Sequence, residues 1–233
     1  MDSRKIKELR EKMLGCKERC NGVLNDIGNG IIPRGMIYEA SCSSGDSPLI
    51  VVVGPNPGNS SEKEKEKVKE INKINNLLKG LGFDGKPEEF FGSEFSHSGS
   101  RYYPGIRLFI NILENIVGKN CRIYWTEIIK CESDENKNLV CSTILKCYEE
   151  FLKKELELIK DEEYRIFVAV GRVAYDLLDS INFMKGELLL GVPHPSARTS
   201  FYKNIKNGES KIMEDIRKVF KEHIHRDLIK DYL

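Results

Sequence analysis

The sequence predicts an α/β fold: a single three-layer domain in which a four-stranded parallel sheet has helices on both faces. Four apolar runs are typical of strands buried on both sides: Leu49–Val53, Arg122–Ile129, Arg165–Val170 and Leu188–Val192. Helical segments separate these runs, and such βαβ units pair their strands in parallel. At 233 residues, the chain can bury one sizeable core, and no repeat or linker divides it into two domains.

The predicted helices lie before, between and after the strands. A helix over Ser3–Leu14 begins at a capping serine, and Gly80 ends a helix predicted over Ser60–Lys79. Apolar residues at helical spacing predict the remaining helices: Tyr102 to about Val117, Ser142–Ile159, Gly171–Asp179 and Ser210–His225. Residues 15–47 are rich in Gly, Asn and Ser, so we expect residues 1–47 to form a helix and a loop that pack on the core.

Charge and hydropathy exclude some classes of protein. The 37 basic residues nearly balance the 36 acidic ones, so any surface that binds a polyanion has to be local. There is no run of about 18 apolar residues, and we therefore expect no membrane span. Residues 1–5 lead into a charged amphipathic pattern rather than a signal peptide, which predicts a cytoplasmic protein.

Two polar side chains stand in Gly/Pro loops that follow predicted strands. Asn56 lies in Gly54-Pro55-Asn56-Pro57-Gly58, and His194 lies between Pro193 and Pro195. Loops at the carboxyl ends of parallel strands meet at one crevice, so we expect the two loops to form a site. An amide can hold a water or a base edge, and an imidazole can stabilise developing negative charge. Each loop could also be a purely structural turn.

The two loops together resemble those of the uracil-DNA glycosylase superfamily. Gly54–Gly58 is similar to the Gly-x-Asn-Pro-Gly loop of its mismatch-specific and single-strand-selective branches, and His194-Pro195-Ser196 is similar to its last catalytic loop. Gly171–Tyr175 is similar to the Gly-x-x-Ala segment between them, and the resemblance covers roughly residues 49 to 198. It implies a monomeric DNA-repair enzyme that hydrolyses the N-glycosidic bond of a flipped base.

The resemblance also implies roles for individual residues. Asn56 would orient the attacking water, and His194 would stabilise the departing base. Gly54 and Pro55 would line the base pocket. Ser196 and Arg198, just after the histidine, are natural contacts for DNA phosphates.

The base pocket of the family also contains a stacking aromatic residue and a residue that reads the base edge. Tyr103 or Tyr102 could supply the aromatic ring, although either could equally be a core residue at a helix start. At the end of the second strand, Thr126-Glu127 stand where the iron–sulfur branch has Thr-Asn. An ionised glutamate only accepts hydrogen bonds, so Glu127 is expected either to stay protonated or to select a base with a donor group.

Seven cysteines, an odd number in a cytoplasmic protein, do not predict a disulfide framework; buried thiols and metal ligands both remain open. Lys130-Cys131, followed by Cys147, resembles the iron–sulfur (family 4 type) uracil-DNA glycosylases, which add two cysteines from an N-terminal Cys-x-x-Cys. Here the N-terminal pair is Cys16 and Cys20, one residue further apart. The resemblance implies that these four hold a structural [4Fe–4S] cluster, or zinc. Two further cysteines compete for places in this ligand set: Cys141 and Cys42.

Catalytically silent DNA binding on the same fold is an alternative function, and the change to glutamate at position 127 favours it. A second alternative is an unrelated α/β protein with a zinc site, in which the loops match by chance.

Overall fold

The structure is a computed structural model that describes most of the chain. The described residues are 3–33, 36–39, 47–60, 62–63, 65–66, 68–70, 102–117, 121–134, 139–162, 164–181, 187–197, 200–208, 210–222 and 226–228. Most of the helix predicted over Ser60–Lys79 lies outside these residues, although 62–63, 65–66 and 68–70 are helical.

The strands and helices of the described residues alternate along most of the chain. The strands are β1 (Val23–Leu24), β2 (Met36–Glu39), β3 (Leu49–Gly54), β4 (Arg122–Glu127), β5 (Glu132–Ser133), β6 (Arg165–Val170), β7 (Leu188–Val192) and β8 (Arg226–Asp227). The helices are α1 (Ser3–Leu14), α2 (Tyr102–Val117), α3 (Cys141–Cys147), α4 (Lys153–Leu158), α5 (Arg172–Ser180), α6 (Phe201–Lys206) and α7 (Ser210–Glu222). A π-helical turn over Tyr148–Leu152 joins α3 to α4.

Six of the described strands form one sheet in the order β2-β4-β3-β6-β7-β8. The four central strands β4, β3, β6 and β7 are parallel, which confirms the predicted four-stranded sheet. Two short strands that were not predicted extend it: β2 pairs antiparallel with β4 at one edge, and β8 pairs parallel with β7 at the other. The second predicted strand ends at Glu127 rather than at Ile129.

The sheet separates two apolar cores because alternate residues of each strand point to opposite faces. In β3, which is wholly buried, Val51 and Val53 belong to one core and Ile50 and Val52 to the other. Side chains of α1, α3, α4 and α5 fill the first core, and those of α2, α6 and α7 fill the second. The protein is therefore a three-layer α/β structure, as predicted.

The N-terminal segment is more ordered than its composition predicted. The helix Ser3–Leu14 forms with the predicted bounds, and Ile6, Leu9 and Met13 join the first core. Beyond it, the expected loop contains β1, a 3₁₀ turn at Ile27–Asn29, and β2. None of the described helices has the length and apolar character that crossing a membrane requires.

Candidate functional site

The loops after β3 and β4 run side by side at the carboxyl edge of the sheet. Gly54 and Glu127 are paired in the last register position of the two strands. Past that position, the N–H of Ile128 donates to the Gly54 carbonyl at 2.9 Å, and the N–H of Ile129 donates to the Pro55 carbonyl at 3.1 Å. The ladder thus extends beyond the strands and fixes the start of the Gly54–Gly58 loop against the residues that follow Glu127.

The absence of a side chain at Gly54 makes room for two polar groups. A Cβ atom at this position would overlap the Glu127 carboxylate and the Tyr102 hydroxyl. Glu127 is only 5% exposed, so its carboxyl group lies within the protein at the carboxyl edge of the sheet. Gly54, Tyr102 and Glu127 therefore form one compact group at this edge.

His194 joins this group through the ring of Tyr102. The two ring centroids are 5.2 Å apart, with the planes tilted by 38°. The loop of His194 is held in place on both sides: the Tyr202 hydroxyl donates to the Pro193 carbonyl at 2.6 Å, and Gly105 lies so close to Pro195 that an added Cβ would be 3.1 Å from it. The histidine is thus presented on a rigid loop next to the start of α2.

The surroundings of His194 favour its neutral form. Burial lowers the pKa of the imidazole, because the charged ring would lose hydration. The backbone N–H of Ser196 donates to Nδ1 at 3.2 Å, and the Ser196 hydroxyl lies 2.6 Å from the same nitrogen. Since Nδ1 accepts, the proton of the neutral ring is on Nε2, which leaves an N–H donor on the other side of the ring.

Asn56 lies two residues beyond Gly54 in the same loop, and its amide nitrogen donates to two neighbours. One acceptor is the Pro57 carbonyl at 2.9 Å, and the other is the Ser133 hydroxyl at 2.8 Å. Ser133 belongs to β5, which pairs antiparallel with β1 of the N-terminal segment. These bonds use the amide N–H groups of Asn56, so its carbonyl oxygen is the atom that can take a proton donor such as water.

The remaining predicted site residues are placed less completely. Ser196 is exposed and contacts His194, as described above. Tyr103 is in the first turn of α2, but the described part of the structure does not include its side chain. Arg198 lies wholly outside the described residues. Of the two candidate aromatics, Tyr102 is the one whose described ring contacts the site.

The N-terminal segment is docked on the residues around β5 and α3. The pairing of β1 with β5 continues in a bond from the Asp134 N–H to the Gly22 carbonyl at 3.0 Å. On α3, the Thr143 hydroxyl donates to the Asn21 carbonyl at 2.8 Å. These bonds bring the segment that carries Cys16 and Cys20 to the part of the chain that carries Cys131 and Cys147.

Neighbouring thiols of the set contribute to the pKa shifts of Cys20, Cys131 and Cys147. The pKa of Cys131 is raised to about 12, mainly by burial and to a smaller extent by Cys147, Cys16 and Cys20. The pKa values of Cys147 and Cys20 are also raised, in both cases mainly by burial and in part by neighbouring thiols of this set. The donor set is therefore gathered in one region, although the described side chains contain no group of three or more already arranged to hold a metal ion.

The other cysteines do not share this environment equally. Cys141 is exposed at the first turn of α3, and its separation of six positions from Cys147 corresponds to a rise of about 9 Å along a helix. Cys42 lies outside the described residues. Cys121 is buried just before β4, at the opposite end of that strand from Cys131.

A buried ion pair beside Cys131 was not predicted from the sequence. The Lys130 ammonium lies 2.6 Å from the Glu155 carboxylate, and both side chains are almost completely buried. A signal was present in both segments: Lys130 ends the apolar run Ile128-Ile129, and Glu155 lies at helical spacing between Phe151 and Ile159. A charged residue in an apolar series indicates a buried partner, but not which one.

No model of a known protein family matches the chain, and no curated protein matches it either. The resemblance to DNA glycosylases therefore rests on the loop and cysteine residues alone.

Proposed function

We propose that the protein is a monofunctional DNA glycosylase of the uracil-DNA glycosylase superfamily, which hydrolyses the N-glycosidic bond of a flipped damaged or mismatched base. The observation that carries this proposal is the meeting of Gly54, Tyr102, Glu127 and His194 at the carboxyl edge of a parallel sheet. Open α/β sheets bind their ligands at this edge, outside the carboxyl ends of the strands.

The proposed reaction divides the work between Asn56 and His194. The Asn56 carbonyl oxygen orients a water whose oxygen bonds to C1′, while the electron pair of the glycosidic bond leaves with the base. The proton that the water loses ends on the departing base, which is released in its neutral form. The Nε2–H of a neutral His194 donates a hydrogen bond to the base as negative charge develops on it. The sugar gains oxocarbenium character in this step, and nearby DNA phosphates stabilise that charge.

The proposed partner is DNA that contains a damaged or mismatched base. Ser196 and Arg198 contact phosphates next to the crevice, and Tyr102 or Tyr103 stacks on the extrahelical base. We propose that the protein acts as a monomer in the cytoplasm.

We further propose that Cys16, Cys20, Cys131 and Cys147 hold a [4Fe–4S] cluster, with zinc as the alternative. Four thiolates suit either metal site. Support comes from the docking of residues 21–24 on β5 and α3, and from the part that neighbouring thiols of the set play in raising the pKa values of Cys20, Cys131 and Cys147. The bound group would supply structural cross-linking, and no step of base release involves it.

In the proposed enzyme, Glu127 favours the release of bases other than uracil. Uracil presents an N3–H donor next to the O4 acceptor, and an ionised carboxylate can satisfy only the donor. A base that keeps an exocyclic amine offers the carboxylate a donor in place of the repelled oxygen. We therefore propose that damaged bases with an exocyclic amine are released faster than uracil.

The test is release of bases from labelled oligonucleotides by anaerobically purified protein. The substrates are uracil, hypoxanthine and xanthine, together with 8-oxoguanine and 5-hydroxycytosine, which keep an exocyclic amine. Each is presented in single strands and in mispairs. We expect release to fall by at least about 100-fold in Asn56→Ala and His194→Ala, because each removes one positioned group, worth roughly 3 kcal/mol. Asn29→Ala, an exposed asparagine bonded to Asp26, is the matched control.

The same assay tests the base preference with Glu127→Gln. The glutamine amide both donates and accepts, so it should raise uracil release relative to the amine-bearing bases by about tenfold or more, the value of one base-edge contact. An unchanged preference would refute the role of Glu127. DNA binding without release of any base would instead support the catalytically silent alternative.

A further inference from the structure

We propose that Lys130 is a positioning residue that couples the four-cysteine region to the Gly54–Glu127 edge of the sheet. The inference rests on the proposed function in identifying that edge as the base-binding site. It does not make Lys130 a catalytic residue, because the side chain is only 1% exposed and cannot touch a substrate.

The Lys130 ammonium has three polar partners. It forms an ion pair with the Glu155 carboxylate at 2.6 Å, and it donates to the Thr126 hydroxyl at 2.7 Å and to the backbone carbonyl of Glu127. Two of these acceptors belong to the last two residues of β4. The ammonium therefore holds the end of that strand from inside the protein, directly behind the Glu127 carboxyl group.

The other side of Lys130 faces the cysteines. Cys131 is the next residue in the chain, and Cys131 and Cys147 are both buried in the first core. The backbone and the ammonium charge of Lys130 both offset part of the rise in the pKa of Cys147 that burial causes, which is consistent with this proximity. A change at Cys131 thus reaches Lys130 through one peptide unit, and a change at Cys147 reaches it through the packing of this core.

Glu155 completes the connection from the helix that carries Cys147. It lies on α4, is fully buried, and also accepts hydrogen bonds from the hydroxyls of Thr126 and Tyr124. Between Cys147 and Glu155 lies the π-helical turn Tyr148–Leu152. In a regular α-helix, the separation of eight positions between Cys147 and Glu155 would rotate the two side chains about 80° apart. The wider π turn reduces this rotation, so Cys147 and Glu155, which are both buried, lie on the same face of the helix.

The test is a double-mutant cycle read by amide hydrogen exchange, with no DNA and no added metal. The variants are Lys130→Met, Cys147→Ser and the combination of both. The probes are the amides of Ile128 and Ile129, which bond to the Gly54 and Pro55 carbonyls. Their rates are divided by that of Val168 in the centre of β6, which removes effects of global stability.

We expect each single replacement to speed the normalised exchange of Ile128 and Ile129 by about tenfold or more. In the combined variant we expect no further increase over Lys130→Met, because the cysteine acts on these amides through Lys130. If the two effects multiply, or if Cys147→Ser leaves both amides unchanged, the coupling does not exist.

A matched control separates coupling from the loss of any buried ion pair. Arg165 and Glu187 form such a pair at the opposite end of the sheet, with side chains 10% and 7% exposed. Arg165→Met should leave the normalised exchange rates of Ile128 and Ile129 unchanged. If Arg165→Met raised these rates as much as Lys130→Met, general destabilisation would explain the effect of Lys130→Met. If Lys130→Met does not fold, replacement of both Lys130 and Glu155 by Met removes the charges together and takes its place in the cycle. Failure of the proposed function would appear elsewhere, as no base release by the unmodified protein.

Discussion

His194 is the residue whose chemistry depends most directly on its surroundings. Its pKa lies below the ordinary value of 6.5 because burial disfavours the charged ring, and the Ser196 N–H bond to Nδ1 favours the same neutral form. Protonation would remove the acceptor at Nδ1 and break that bond. The neutral ring therefore persists to a lower pH than that of an exposed histidine.

The lowered pKa of His194 determines where the acid limb of the pH–rate profile is expected. Base release should stay constant as the pH falls through 6.5 and decline only below it, with His194→Gln lacking that limb.

The free energy of unfolding should also fall when His194 becomes protonated. Because the folded pKa is depressed, the unfolded chain binds the proton first, so the contribution of His194 is complete above pH 6.5 and is lost as the pH falls. A midpoint of the acid limb above 6.5 would contradict this account.

Single residues at the carboxyl edge were predictable from the sequence to different extents. Gly54 ends one apolar run that is typical of a strand, and His194 comes just after another. Because the sheet is parallel, both residues were expected at the same edge. The bond from Asn56 to Ser133 and the pair of Lys130 with Glu155 join segments distant in sequence. Nothing in either segment identifies the other, because side-chain partners depend on how the elements dock.

Among the elements, β7 and α5 show how closely the layers pack next to the site. A Cβ atom added at Gly191 would lie 2.5 Å from the ring of Tyr175, which is buried on α5. Gly191→Ala should lower the free energy of unfolding by about 1–3 kcal/mol, the usual cost of overpacking a core. Urea unfolding measures this change. Gly58→Ala is the matched control, since an added Cβ there meets nothing within 4 Å, and its stability should be unchanged.

The helix from Cys141 to Leu158 shows why element boundaries were harder to predict than element types. Four buried residues of this helix and Ile159, the residue that follows it, recur at every fourth position. They are Thr143, Cys147, Phe151, Glu155 and Ile159. In a regular α-helix this series would drift by about 160° around the axis, so it could not remain on one buried face. The π turn removes much of that drift, and the four-residue interval was its sequence signal. The strands β2 and β8 gave no such signal because they are short and lie next to polar residues.

At the scale of the whole molecule, the proposed metal site would join the N-terminal segment to the rest of the protein. Lys17 and Arg19 are exposed between Cys16 and Cys20, so trypsin can test this connection. Removal of the metal with a chelator should speed cleavage after Lys17 and Arg19 by about tenfold or more, because binding energy at the site stabilises the docked segment. Cleavage after the exposed Lys203 on α6, in the layer on the other face of the sheet, is the control. Equal rates with and without metal would show that the segment docks independently.

The position of β3 at the centre of the sheet also has a consequence for synthesis on the ribosome. Its neighbours on either side, β4 and β6, follow far later in the chain: Val51 pairs with Tyr124 and with Phe167. At ordinary rates of translation, roughly ten seconds separate the appearance of β3 from that of β6. Until β4 appears, the wholly apolar Leu49–Val53 segment has no partner at either edge, and one edge stays open until β6 follows. An apolar segment with an open edge is the kind that chaperones bind.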